Sequence, residues 1–113
     1  MALVDQIRAA RETWVTAGGF HFLIRRPTKY QLVRWSSDVG DATTRVLRES
    51  VIGWKDIPGH LIAPGLDGST PPFEMEAFLE WVGDRPDVMI EIGSAVNDTV
   101  TRYLDATEAA EKK

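Results

Sequence analysis

The chain contains no cysteine. That absence excludes a disulfide framework, a thiolate zinc site and a cysteine nucleophile together, and it fits a reducing compartment. Histidine is scarce: His21 and His60 stand far apart with no neighbour at ligand spacing, whereas a metal or acid–base role needs converging partners. No apolar run approaches the roughly 18 residues that span a bilayer. The opening Met1-Ala2-Leu3-Val4-Asp5-Gln6-Ile7-Arg8 has no signal-peptide core. A nucleophile elbow, a phosphate loop and a dinucleotide fingerprint are all missing, and Gly65-Leu66-Asp67-Gly68 offers too few oxygen ligands for a calcium loop. The expectation is a soluble cytoplasmic protein without cofactor, metal or catalytic machinery.

What is present amounts to one domain: 113 residues, 43% hydrophobic and 27% charged, within the globular range. The net charge of −4 is unevenly placed. Residues 1–55 hold nine Lys/Arg and five Asp/Glu, a balance of +4; residues 56–113 hold four and twelve, a balance of −8. Such polarity suits packing of one half on the other, or head-to-tail self-association; simple solvation of both faces explains it equally well.

Leu3, Val4, Ile7 and Ala10 recur at helical spacing, which predicts a short amphipathic helix over about 2–11. Thr13–Thr16 and Phe20–Arg25 are β-branched and aromatic, and the intervening Ala17-Gly18-Gly19 supplies turn glycines, so the pair reads as a β-hairpin. Thr28-Lys29-Tyr30-Gln31 is a capping box that opens a helix through Tyr30, Leu32, Val33, Trp35 and Val39. Gly40-Asp41 is a candidate break, after which Val46, Leu47, Val51 and Trp54 continue the stripe to a cap at Gly53. Residues 55–71 hold three glycines and three prolines and read as a long loop. Its Ile57, Leu61, Ile62 and Leu66 imply that it packs on something.

Pro71-Pro72 suit the first turn of the next helix, with Phe73, Ala77, Phe78, Trp81 and Val82 as its buried side and Gly83 as its stop. Asp84 is the candidate N-cap of a last helix carrying Val88, Ile92, Val96, Val100, Tyr103 and Leu104, and the tail from Glu108 frays. The expected architecture is mainly α within the α+β class. It is one domain over 1–113, an N-terminal β-hairpin packed on about three to five helices. Its parts are a helix and hairpin over 2–26, helix over 28–54, loop over 55–71, helix over 72–110 and a frayed tail over 111–113.

Glu74, Glu76 and Glu80 read as a solvated helix face, not as paired catalytic acids. The basic run Arg25-Arg26-Pro27-Thr28-Lys29, with Arg34, Arg45 and Arg48, raises nucleic-acid binding as an alternative. The net negative charge and the lack of a nucleic-acid motif disfavour it. Trp14, Trp35 and Trp81 are assigned to the core, while Trp54, beside the long loop, either anchors that loop or meets a partner.

Leu23-Ile24-Arg25-Arg26-Pro27-Thr28, then Val51-Ile52-Gly53-Trp54-Lys55-Asp56-Ile57, a Gly/Pro-rich loop and Pro72-Phe73 before an acidic helix form an ordered set. Together with Arg85-Pro86-Asp87 leading into a long final helix, that order resembles the tail assembly chaperones of long-tailed bacteriophages. The resemblance spans most of residues 11–110; the loop before Pro72 is longer than the group's pattern. It implies a protein absent from the virion that binds the tape-measure protein in the host cytoplasm, keeps it soluble, helps recruit tail-tube protein and self-associates as a homo-oligomer. It also implies an extended form made by frameshifting near Lys112-Lys113. Arg25, Arg26, Trp54, Ile57 and Phe73 match the pattern and are the candidate protein-binding residues. A head–tail completion protein is the other phage-structural alternative.

Overall fold

The computed structural model describes residues 2–36 and 42–111. Gly18 and Gly19 have φ of +59° and +84°, the pair of positive angles that a two-residue type I′ turn requires. They close strand β1 (Glu12–Ala17) onto β2 (Phe20–Arg25), with Ala17 opposite Phe20 and Glu12 opposite Arg25. The expected hairpin is present. A short helix, α1 (Leu3–Ala9), precedes it.

The capping box forms as read. The Thr28 amide donates to Gln31 Oε1 at 2.8 Å, and the Gln31 amide donates to Thr28 Oγ1 at 3.1 Å. It opens α2 (Lys29–Ser36), and α3 (Ala42–Ser50) follows. The candidate break at Gly40-Asp41 and the apolar position Val39 lie outside the described residues.

The helix expected to run on to residue 54 stops at Ser50. Val51–Lys55 is instead strand β3, paired antiparallel with β2 in a sheet of order β1-β2-β3. The physical reason is the unpaired edge of β2. Without β3, one side of the central strand would bury backbone N–H and C=O groups with no partner, and the β-branched and aromatic residues of 51–54 suit that place. Gly53 faces Leu23 across the ladder rather than capping a helix. Leu23 pairs with Gly53 but Ile24 with Val51, so Ile52 is the extra residue of a bulge.

Residues 56–74 are more ordered than a bare loop. One helical turn, α4 (Gly59–Ile62), sits inside it. The Gly59 amide donates to the Ser69 carbonyl and the His60 amide to that of Asp67, both at 3.0 Å. The two limbs therefore close on each other. A Cβ on Gly59 would lie 2.8 Å from the Asp67 carbonyl oxygen, so the throat admits only glycine without a shift. Helix α5 (Met75–Val82) begins after Glu74, so Pro71 and Pro72 precede it instead of forming its first turn. Helix α6 (Pro86–Glu111) starts on proline and runs 26 residues. Arg85, not Asp84, immediately precedes it, and residues 108–111, expected to fray, are helical; Lys112-Lys113 lie outside the described residues.

The helices cover one face of the sheet. Phe22 and Ile24 of the central strand are fully buried, together with Leu47, Val51, Phe78, Val82, Val88 and Ile92. Phe22 meets Phe78 and Trp81 with ring centroids 5.7 and 6.2 Å apart. The hairpin turn touches α6: the Gly18 amide donates to Glu91, and a Cβ on Gly18 would come within 2.5 Å of Val88 Cγ2.

The opposite face of the sheet is uncovered, which corrects the placement of Trp14. Strand alternation puts Trp14 on that face, 43% exposed, with Lys55 Nζ 4.2 Å above its ring. Tyr30 and Val33, expected in the α2 stripe, are exposed as well. The described residues contain no helix long and apolar enough to cross a membrane.

Candidate protein-interaction surface

Trp54 is held from three sides. Its indole N–H donates to the Pro71 carbonyl at 2.8 Å, its ring meets Phe73 edge-on at 5.2 Å, and Phe78 lies 6.4 Å away. Ile57 is fully buried, and its amide donates to Thr70 Oγ1 at 3.1 Å. Trp81 adds a bond from its Nε1 to the Leu61 carbonyl at 3.1 Å. Aromatic N–H groups thus fasten the loop at both limbs. Trp54 anchors the loop, and with Ile57 it is core; Phe73 is half-buried against them. Of these three candidate protein-binding residues, Trp54 and Ile57 are buried, and Phe73 keeps part of its surface exposed.

Arg25 and Arg26 lie elsewhere, at the open end of the hairpin. Arg25 pairs with Glu12 at 2.9 Å. Arg26 donates to the Pro27 carbonyl at 3.0 Å, and its guanidinium stacks 3.6 Å above the Tyr103 ring of α6. The five sequence candidates therefore form two separate groups. The wider Arg25–Arg48 basic face is likewise interrupted. Arg34 approaches Glu49 at 4.0 Å and Arg48 pairs with Glu76 at 2.7 Å, so carboxylates are interspersed along it.

The uncovered apolar surface is on residues outside that set. On α1, Leu3, Val4 and Ile7 are 71%, 48% and 55% exposed, and the helix buries no residue at all. The core contact of α6 ends at Val96, and its later turns expose Tyr103 and Leu104. Between α2, α3 and α6 lies a mainly apolar groove of about 260 Å³, lined by Leu32, Trp35, Val46, Met89 and Val100. The signal for α1 was in the sequence: its apolar stripe is complete. Whether anything covers that stripe is a tertiary property, which helical spacing of apolar residues does not decide.

Among the described residues no three His, Asp or Glu side chains gather as a metal site. The depressed acid is Asp67, whose carboxylate is held below its usual range by the Ser69 hydroxyl and then by the Ser69 amide, which donates at 2.9 Å. That is loop architecture. No protein-family model, curated protein or solved structure matches this chain.

Proposed function

We propose that this chain is an assembly chaperone of a long-tailed bacteriophage. It binds the tape-measure protein in the host cytoplasm, keeps it soluble, helps recruit tail-tube subunits and is left out of the finished particle. Self-association into a homo-oligomer belongs to the same proposal. The observation that supports it is the apolar face of α1, where Leu3, Val4 and Ile7 are exposed and no side chain is buried. A helix of one to two turns gains little from its own hydrogen bonds; apolar surface of this kind is favourable only once another chain lies on it. The groove between α2, α3 and α6 extends the surface available to a client, and the acidic half of the chain keeps a loaded complex dispersed.

Co-expression with the tape-measure protein of the same genome tests the reading. The soluble yield of that client rises and the two proteins co-purify. A Leu3→Ser/Ile7→Ser variant keeps its fold and loses the effect. No gain in client solubility with the native chain overturns the proposal. Mass spectrometry of purified virions gives a second arm: a chaperone is absent, whereas stoichiometric presence means a head–tail completion protein.

A further inference from the structure

Gly93 stands inside α6, where glycine is the least favourable residue for a helix after proline. Two other glycines show what would require one. Gly18 has a positive φ, and a Cβ on it would meet Val88 at 2.5 Å; a Cβ on Gly59 would meet the Asp67 carbonyl oxygen at 2.8 Å. Gly93 has neither reason. Its φ is not positive, and, apart from its chain neighbours and the backbone of its own helix, nothing among the described residues lies within 4 Å of where its Cβ would stand. Packing within the chain therefore does not call for a glycine at this place. The missing side chain instead deepens the groove between α2, α3 and α6, whose wall on α6 runs from Met89 through Gly93 and Val96 to Val100. Their spacing of four, three and four residues keeps all four on one side of the helix.

The size and lining of the groove select its occupant. Its volume of about 260 Å³ is below the roughly 300–1,000 Å³ of pockets for small molecules and cofactors, and above the ~150 Å³ apolar cavity that admits benzene. One side chain of ring size fits. Among the described residues no charged side chain lines the groove, and Thr43 and Asn97 are its polar positions. A charged group entering it would lose hydration and gain no counter-ion. Trp35 forms part of the wall, and its indole N–H is already donated to Glu49, so it offers the groove ring surface, not a hydrogen bond. The Met89 thioether adds a polarisable contact that favours an aromatic ring. Apolar surface continues along the same side of α6: Ile90 and Leu104, seven residues before and after Asn97, are 71% and 41% exposed.

We infer that this groove anchors the client by taking one aromatic side chain from an uncharged stretch of it, and that Gly93, by lacking a side chain, holds the groove open. The inference rests on the chaperone reading and names the client's chemistry at one site. Helix α6 is weaker for the glycine in the free chain, and the seated ring supplies the contacts that are missing there.

Gly93→Ala and Gly93→Leu test it, since both replacements favour helix and leave the core untouched. Gly93→Ala raises the melting temperature of the free chain by about 4 °C and weakens binding of the tape-measure protein about three-fold; Gly93→Leu weakens it about ten-fold or more. A damaged fold would lower both readings together, so higher stability with poorer binding is specific to a groove that must stay open. In the free chain, N-acetyl-tryptophanamide serves as an uncharged stand-in for the client's side chain. Its titration moves the Gly93 amide and Trp35 indole resonances saturably, and Gly93→Leu abolishes the Trp35 shift. Equal client binding by the native chain and Gly93→Leu, or no saturable shift in the native chain, overturns the inference and leaves the chaperone reading standing. A native chain that binds no client sinks the chaperone reading and the client as occupant with it; the titration then still reports whether the groove accepts a ring.

Discussion

The indole N–H of Trp54 donates to the carbonyl of Pro71 at 2.8 Å, joining strand β3 to the far limb of the long loop. Since Trp54 also pairs with Phe22 in the sheet, one side chain links the sheet, the loop and the start of α5. Trp54→Phe keeps most of the ring and removes the bond, leaving the Pro71 carbonyl to find another donor; a loss of about 1–2 kcal/mol follows. Trp54→Ala also opens a cavity against Phe73 and Phe78 and costs about 3–5 kcal/mol. Urea unfolding of both variants measures the two contributions, and equal losses would mean that the ring carries no weight.

Gly18 is constrained twice, by its positive φ and by the approach of Val88. Gly18→Ala strains the turn and pushes on α6, for a loss of about 1–3 kcal/mol. Gly19 shares the positive φ but has open space around its Cα, so Gly19→Ala loses only the conformational part. Thermal melts of the pair separate strain from collision.

Thr28 and Gln31 satisfy one another's amides. Thr28→Ala costs about 1 kcal/mol. Because the two bonds are reciprocal, the double variant falls short of the sum of the singles, and a double-mutant cycle reads the coupling directly.

Ser50 is fully buried at the α3–β3 junction, and its hydroxyl has no hydrogen-bond partner. Replacing an unsatisfied buried hydroxyl by a methyl removes a desolvation penalty, so Ser50→Ala is neutral or stabilising by up to about 1 kcal/mol. A clear loss of stability in chemical denaturation would reveal a partner for that hydroxyl.

The Ser69 bonds lower the Asp67 carboxyl below its usual range. A depressed folded value means that the contribution is present above the unfolded value of about 3.9 and is lost as pH falls through the lower folded one. The Ser69 amide resonance therefore titrates with a midpoint below that of an ordinary aspartate and stays flat from about pH 5 upward. Asp67→Asn abolishes the titration. An ordinary midpoint in the native chain would show that the Ser69 bonds do not persist in solution.

Features set by neighbours a few residues apart were readable from the chain alone. The Thr28–Gln31 box, the Gly18-Gly19 hairpin, the stop at Gly83 and the long last helix each depend on contacts within one turn or one pair of strands. The α+β class followed from them. Two other outcomes depend on residues distant in sequence. Val51–Lys55 has a stripe that serves a helix or a strand, and only the unpaired edge of β2 chose the strand. Trp14, Tyr30 and Val33 look like core residues, and Leu3, Val4 and Ile7 form a complete apolar face, but the helices leave one side of the sheet open at Trp14, and no element buries those faces of α1 and α2 among the described residues, so all six are exposed. A local pattern fixes which way a side chain points within its element, and the packing of whole elements decides whether anything meets it there.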